Sequence, residues 1–180
     1  HIWYKPETFP RLAKEMAFDF SILKPDAKKT FAKNLNNFEK SYQTIYPIMD
    51  KIRHKYQGTT VAATTPLYNY MAKALGLKVK GHQFEWLTMN GSEPSPRIMA
   101  NFEKLLQLKK VRLLFNNKQV TNPNVTTLLA LAKKHHKPIV SFSETLPAGL
   151  SITEWIKGTL EETLSALQGP KIKFNKNKKP

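Results

Sequence analysis

After Gly58 the chain changes period. Short runs rich in β-branched and aromatic residues alternate with amphipathic segments of helical spacing, and this alternation restricts the fold more than any other feature. Residues 60–64, a stretch within 84–89, residues 111–115 and residues 139–142 read as four strands. Helices are predicted over 66–75, from Ser95-Pro96 to Lys109-Lys110, over 124–136 and over 151–167. Strands separated by helices need crossover connections, so the expectation is an α/β fold with a parallel four-stranded sheet and flanking helices. Ligands of such sheets bind beyond the carboxyl ends of the strands. The polar residues following the predicted strands are therefore the first site candidates: Thr64-Thr65, Asn90-Gly91-Ser92-Glu93, Asn116-Asn117 and Glu144.

Two helical segments precede this pattern. Residues 6–22 place Phe9, Leu12, Ala13, Met16 and Phe20 on one face. Residues 26–55 then carry one apolar stripe from Phe31 and Leu35 through Tyr42 and Ile45 to Ile52, on a helix about 45 Å long at 1.5 Å per residue. Pro47 lacks the amide hydrogen of the helical ladder and is expected to kink it. Asn34, Asn36 and Asn37 interrupt the charged flanks that a coiled coil needs, which favours a structural spine. The predicted divisions are an N-terminal helical segment (1–25), the spine (26–57), an α/β lobe (58–168) and a basic, flexible tail (169–180) after Gly169-Pro170.

The 180 residues, 41% hydrophobic, suffice for one core. No apolar run approaches a bilayer span, and no charged-then-apolar leader is visible. The absence of cysteine excludes disulfides, thiolate metal sites and cysteine nucleophiles. A net charge of +16 invites a nucleic-acid reading, but there are few arginines, the lysines are scattered along the sequence, and no aromatic RNA motif or zinc-finger spacing occurs. No specific nucleic-acid partner is expected, and the tail's use is weak attraction to anionic surface polymers or lipids.

Glu144 is a carboxylate able to coordinate a hard or borderline cation, or equally to cap a turn. Thr64-Thr65-Pro66 offers two hydroxyls to the same crevice but also reads as a helix start. His135-His136 suits a helix C-terminus better than a metal, because adjacent helical residues point in different directions. A terminal His1 chelating copper through amine and imidazole belongs to β-sandwich oxygenases, which the α/β pattern opposes. No phosphate loop, nucleophile elbow or His-Glu-x-x-His helix is present, so no enzyme activity is expected.

Several segments together carry a family resemblance: His1-Ile-Trp-Tyr-Lys-Pro-Glu7, Thr64-Thr65-Pro66 with the helix after it, Met89-Asn-Gly-Ser-Glu-Pro-Ser95 and Glu144-Thr-Leu-Pro-Ala-Gly149. With the spine, they resemble the second half of metal-type solute-binding proteins, the extracytoplasmic receptors of zinc and manganese ABC transporters. The resemblance extends to Leu167. It implies two α/β lobes joined by a rigid helix, with metal held between them by four side chains. His1 then matches the second ligand, Glu144 matches the last, and Thr65 stands where the family places histidine or glutamate. The first ligand belongs to an N-terminal lobe expected to be missing here, the chain being one piece of a longer protein. Thr64, Asn90, Glu93 and Asn116 are expected to line the cleft. A threonine hydroxyl is a poor zinc ligand, so zinc or manganese is expected to bind weakly or not at all to this chain alone, unless an upstream residue, water or His82 completes the site. The implied partners are a divalent metal, the missing lobe and an ABC permease, and the implied location is that of a cell-surface lipoprotein of a Gram-positive bacterium. The alternative is a noncatalytic adhesion module with a degenerate metal site.

Overall fold

The computed structural model describes residues 1–169. Four strands, β1 (Thr60–Ala63), β2 (Lys78–Lys80), β3 (Val111–Asn117) and β4 (Ile139–Phe142), pair in parallel in the order β2-β1-β3-β4. The pleat directs neighbouring side chains to two apolar layers, and a register shift of β3 against β1, between the Thr60–Val111 and Ala62–Leu114 pairs, places Val111 and Leu113 in different layers. Val61, Ala63, Leu113 and Phe115 face one layer, and Ala62, Val111 and Leu114 face the other. Burial on both sides explains why these strands read as nearly continuous apolar runs.

On the first face pack α3 (Tyr46–Tyr56), α4 (Asn69–Ala74) and α8 (Ile152–Gln168), contributing Met49, Ile52, Met71, Ile156 and Leu160. On the second pack α5 (His82–Met89), α6 (Pro96–Gln107) and α7 (Pro123–Lys134), through Phe84, Phe102, Leu106, Val125 and Leu128. The helix starts follow local chemistry. Ser95 and Asn122 side chains accept from Ile98 and Val125 amides at the starts of α6 and α7, and Ser151 with Glu154 forms a reciprocal capping box on α8.

Two elements differ from the sequence reading. Residues 84–89 form helix α5, and the second strand is Lys78–Lys80. The aromatic-rich run looks strand-like, but Phe84, Glu85 and Thr88 are buried at helical spacing. Gly81 makes the switch: its φ of 102° turns the chain from β2 into α5, and a Cβ there would lie 2.4 Å from the Phe102 ring. The spine is also not one kinked helix. It comprises α2 (Lys28–Tyr42), a 3-10 turn (Gln43–Ile45) and α3, with Pro47 in the first turn of α3, where its missing N–H leaves no bond unmade.

The opening 3-10 turn (Ile2–Tyr4) leads into α1 (Thr8–Leu23), which lies along α2 and buries none of its residues. Phe18 and Leu23 are 64% and 78% exposed. Among the described residues no helix is long and apolar enough to cross a membrane. The basic tail predicted after Gly169 lies outside the described residues.

Candidate metal site

The first turn is anchored by Tyr4. Its fully buried ring packs edge-on against Tyr68 and Trp155, and its hydroxyl donates to the Ser143 carbonyl at 2.7 Å. This ties the start of the chain to the carboxyl end of β4 and sets His1 against Glu144. His1 Nε2 and Glu144 Oε1 lie 2.6 Å apart, although the residues are 143 positions apart in sequence. The Trp3 ring stands edge-on to the His1 imidazole at 5.3 Å. The imidazole is 10% exposed and the carboxylate 37%, so the pair is sheltered but open on the Glu144 side.

A second set of groups holds the carboxylate. Asn117 Nδ2 donates to Glu144 Oε2 at 3.4 Å, and the Glu144 amide donates to Gln119 Oε1. Gln119 in turn donates from its backbone to Asn117 Oδ1 and from its side-chain amide to Thr145 Oγ1, each at 3.0 Å. The two groups are in direct hydrogen-bond contact, and an imidazole nitrogen and a braced carboxylate are donor types suited to a borderline divalent cation. Thr65, two positions past the end of β1, is 5% exposed, and its hydroxyl is buried without a hydrogen-bond partner. Among the described residues no three His, Asp or Glu side chains are grouped to hold a metal ion.

The family model for the zinc-uptake complex component A, periplasmic (ZnuA), matches residues 1–165. The chain belongs to the ZnuA family. Members of this family are metal-binding carriers rather than catalysts, and they work outside the cytoplasm. Among solved structures, the ZnuA-family chain is similar to the laminin-binding protein Lbp of Streptococcus pyogenes, with 23% identity over 93% of this chain and 63% of the other (TM-score 0.71). It is similar to the laminin-binding protein Lmb of Streptococcus agalactiae, described as bifunctional with adhesin and metal transporting activity, at 23% identity over 93% and 64% (TM-score 0.72). The periplasmic zinc binding protein TroA of Treponema pallidum matches at 15% identity over 93% and 63% (TM-score 0.72). At these identities the likeness shows the fold. The chain spans less than two thirds of the length of each of these structures. None of the curated proteins matches it.

In this ZnuA-family chain the remaining candidate residues are engaged elsewhere. Thr64 Oγ1 donates to Asn116 Oδ1 at 3.1 Å, and Asn116 Nδ2 donates to Ser141 Oγ at 3.3 Å, so the two form a clamp across β1, β3 and β4. Asn90 and Glu93 follow helix α5 rather than a strand. Asn90 donates to the Trp86 carbonyl at 2.7 Å, and Glu93 accepts from Asn124 at 2.6 Å at the start of α7. His82 follows β2, on the opposite edge of the sheet from β4, and its Nδ1 lies 2.8 Å from Glu85 Oε2. Glu85 is 2% exposed, and burial raises its carboxyl above the usual range, an effect opposed by His82 and Asn69. The bracing residues Asn117 and Gln119 were only partly visible in sequence, through the Asn116-Asn117 pair at the end of a predicted strand.

Proposed function

We propose that this chain is the spine and C-terminal lobe of an extracytoplasmic carrier for a divalent metal of the zinc or manganese type, delivering its cargo to an ABC permease. The contact between His1 and Glu144 carries the reading, because it places an imidazole and a carboxylate together at the carboxyl edge of a ZnuA-family fold. Glu144, His1 and the position of Thr65 are the ligand positions of this lobe, and Asn117 with Gln119 supports the carboxylate. The exposed apolar face of α1 supports a second, N-terminal lobe that covers it and supplies a further ligand. Attachment as a lipoprotein of a Gram-positive cell surface belongs to the same proposal.

The test is a competitive zinc and manganese titration of the full two-lobed protein. Glu144→Gln is expected to weaken binding by more than about 100-fold, and Asn117→Ala by about 10- to 100-fold. Thr65→Glu is expected to tighten it, since a carboxylate replaces a hydroxyl that has no partner. Unchanged affinity in Glu144→Gln refutes the ligand assignment. A second reading, surface adhesion with a weakened metal site, is supported by the adhesin description of the Lmb relative and by the neutral Thr65. Binding of laminin by a protein that takes up no metal at micromolar concentration favours it.

A further inference from the structure

The molecule holds a second contact between a histidine and a carboxylate, away from His1 and Glu144. His82 and Glu85 stand three residues apart in the first turn of α5, a spacing that puts both side chains on one helix face. His82 Nδ1 lies 2.8 Å from Glu85 Oε2, and Asn69 Nδ2, at the start of α4, donates to the same oxygen at 3.2 Å. The other carboxylate oxygen is left open. Among the described residues, Glu85 Oε1 and Asn69 Oδ1 are both buried without a hydrogen-bond partner, and the Glu85 side chain is only 2% exposed. Buried polar atoms are nearly always satisfied, so two open oxygens on one bonded pair require a ligand.

Both open atoms are acceptors, and a carboxylate kept from water is costly unless a proton or a cation stands beside it. A proton on Oε1 serves the oxygens alone. A borderline divalent cation also uses the imidazole nitrogen, together with the carboxylate and the amide oxygen. The His82 side chain is 67% exposed, which leaves a path from solvent to the buried carboxylate. Zinc bonds of about 2.0–2.2 Å to nitrogen and oxygen, at a tetrahedral angle, set two such donors about 3.3 Å apart. The pair therefore opens by about half an ångström from its 2.8 Å contact, a movement that falls to the exposed imidazole while the buried carboxylate stays fixed.

We infer that His82 and Glu85, with the Asn69 amide oxygen, form a second site for a zinc-type divalent cation, separate from the one at His1 and Glu144. His82 follows β2 and Glu144 follows β4, the two outer strands of the sheet, three strand spacings or about 14 Å apart. One ion reaches its ligands at about 2 Å, so it does not serve both places. Water completes the shell here. With fewer protein ligands than a closed four-residue site, the affinity is lower and exchange with solvent is faster.

The test is a zinc titration of the full chain against a chromophoric chelator, in a Glu144→Gln background that silences the first site. One zinc is expected to bind there, and adding His82→Ala is expected to weaken it by more than about tenfold. Asn69→Asp turns the open amide oxygen into a carboxylate and is expected to tighten binding, which a variant that merely unfolds does not do. His135→Ala/His136→Ala, which removes the histidine pair after α7, is expected to leave it unchanged. In nitrogen NMR spectra of the imidazoles, Nδ1 of His82 is expected to shift as zinc is added. Absence of zinc binding in the Glu144→Gln chain, or binding that His82→Ala leaves intact, overturns the assignment. The carrier reading is tested on the two-lobed protein with Glu144 present or replaced, so either reading fails without the other.

Discussion

The α/β lobe and the hairpin of α1 and α2 carry apolar stripes of the same helical period, yet they use them differently. Ile156, Leu160 and Leu167 on α8 of the lobe are buried, whereas α1 leaves Met16, Phe18, Phe20 and Leu23 exposed. An amphipathic period fixes which side of a helix is apolar. It does not supply the surface that covers it.

Core truncation gives the largest contrast. Phe115→Ala is expected to destabilise the chain by about 3–5 kcal/mol, because it empties a site shared with Tyr68 and Phe142. Phe18→Ala is expected to stay within about 0.5 kcal/mol, since nothing packs over it. Urea unfolding of both variants measures the difference, and a large loss in Phe18→Ala would mean that the hairpin is covered in solution.

Gly81→Ala should come next, at about 1–3 kcal/mol, from a left-handed φ and a clash with Phe102. Its thermal midpoint should fall, and a smaller residue at position 102 should partly restore it. Ser151→Ala removes the capping box of α8 and should cost about 1 kcal/mol, read from the same melts. No comparable cap exists on α1, whose N-terminal Glu7 makes no capping bond through its side chain.

The smallest effect concerns charge inside the lobe. Burial raises the Glu85 carboxyl in the folded state, so the native form holds its proton more tightly than the unfolded chain. Its contribution to stability is fully present below the ordinary carboxylate pKa and is lost as pH rises through the raised one. Glu85→Gln should therefore flatten the pH dependence of stability above that ordinary range. A pH series of urea midpoints checks it, and an unchanged slope would mean that His82 and Asn69 fully offset the burial.

Much of the fold was legible because its signals are local. The strands at 111–115 and 139–142, the Ser95-Pro96 start and the capping box at Ser151 each depend on a few neighbouring residues. Residues 84–89 were not legible in this way: composition alone did not separate a short aromatic strand from a short helix, and the decision came from packing against Phe102 and the turn at Gly81. The candidate site was readable as a list but not as a group. Thr64 and Asn116 satisfy each other, Asn90 and Glu93 cap and tether helices, and Gln119 carries no local signal of its bond to the Glu144 amide.

The sequence by itself determined the α/β alternation, the helical character of the spine, the absence of thiol chemistry and the positive charge, since period, composition and capping act over a few residues. The tertiary structure decided which distant groups meet. Tyr4 bound to Ser143 brings His1 to Glu144 across 143 positions, and the crossovers gather lysines from separate segments on the opposite edge. Such meetings depend on the path of the chain through a packed core, which no local pattern encodes.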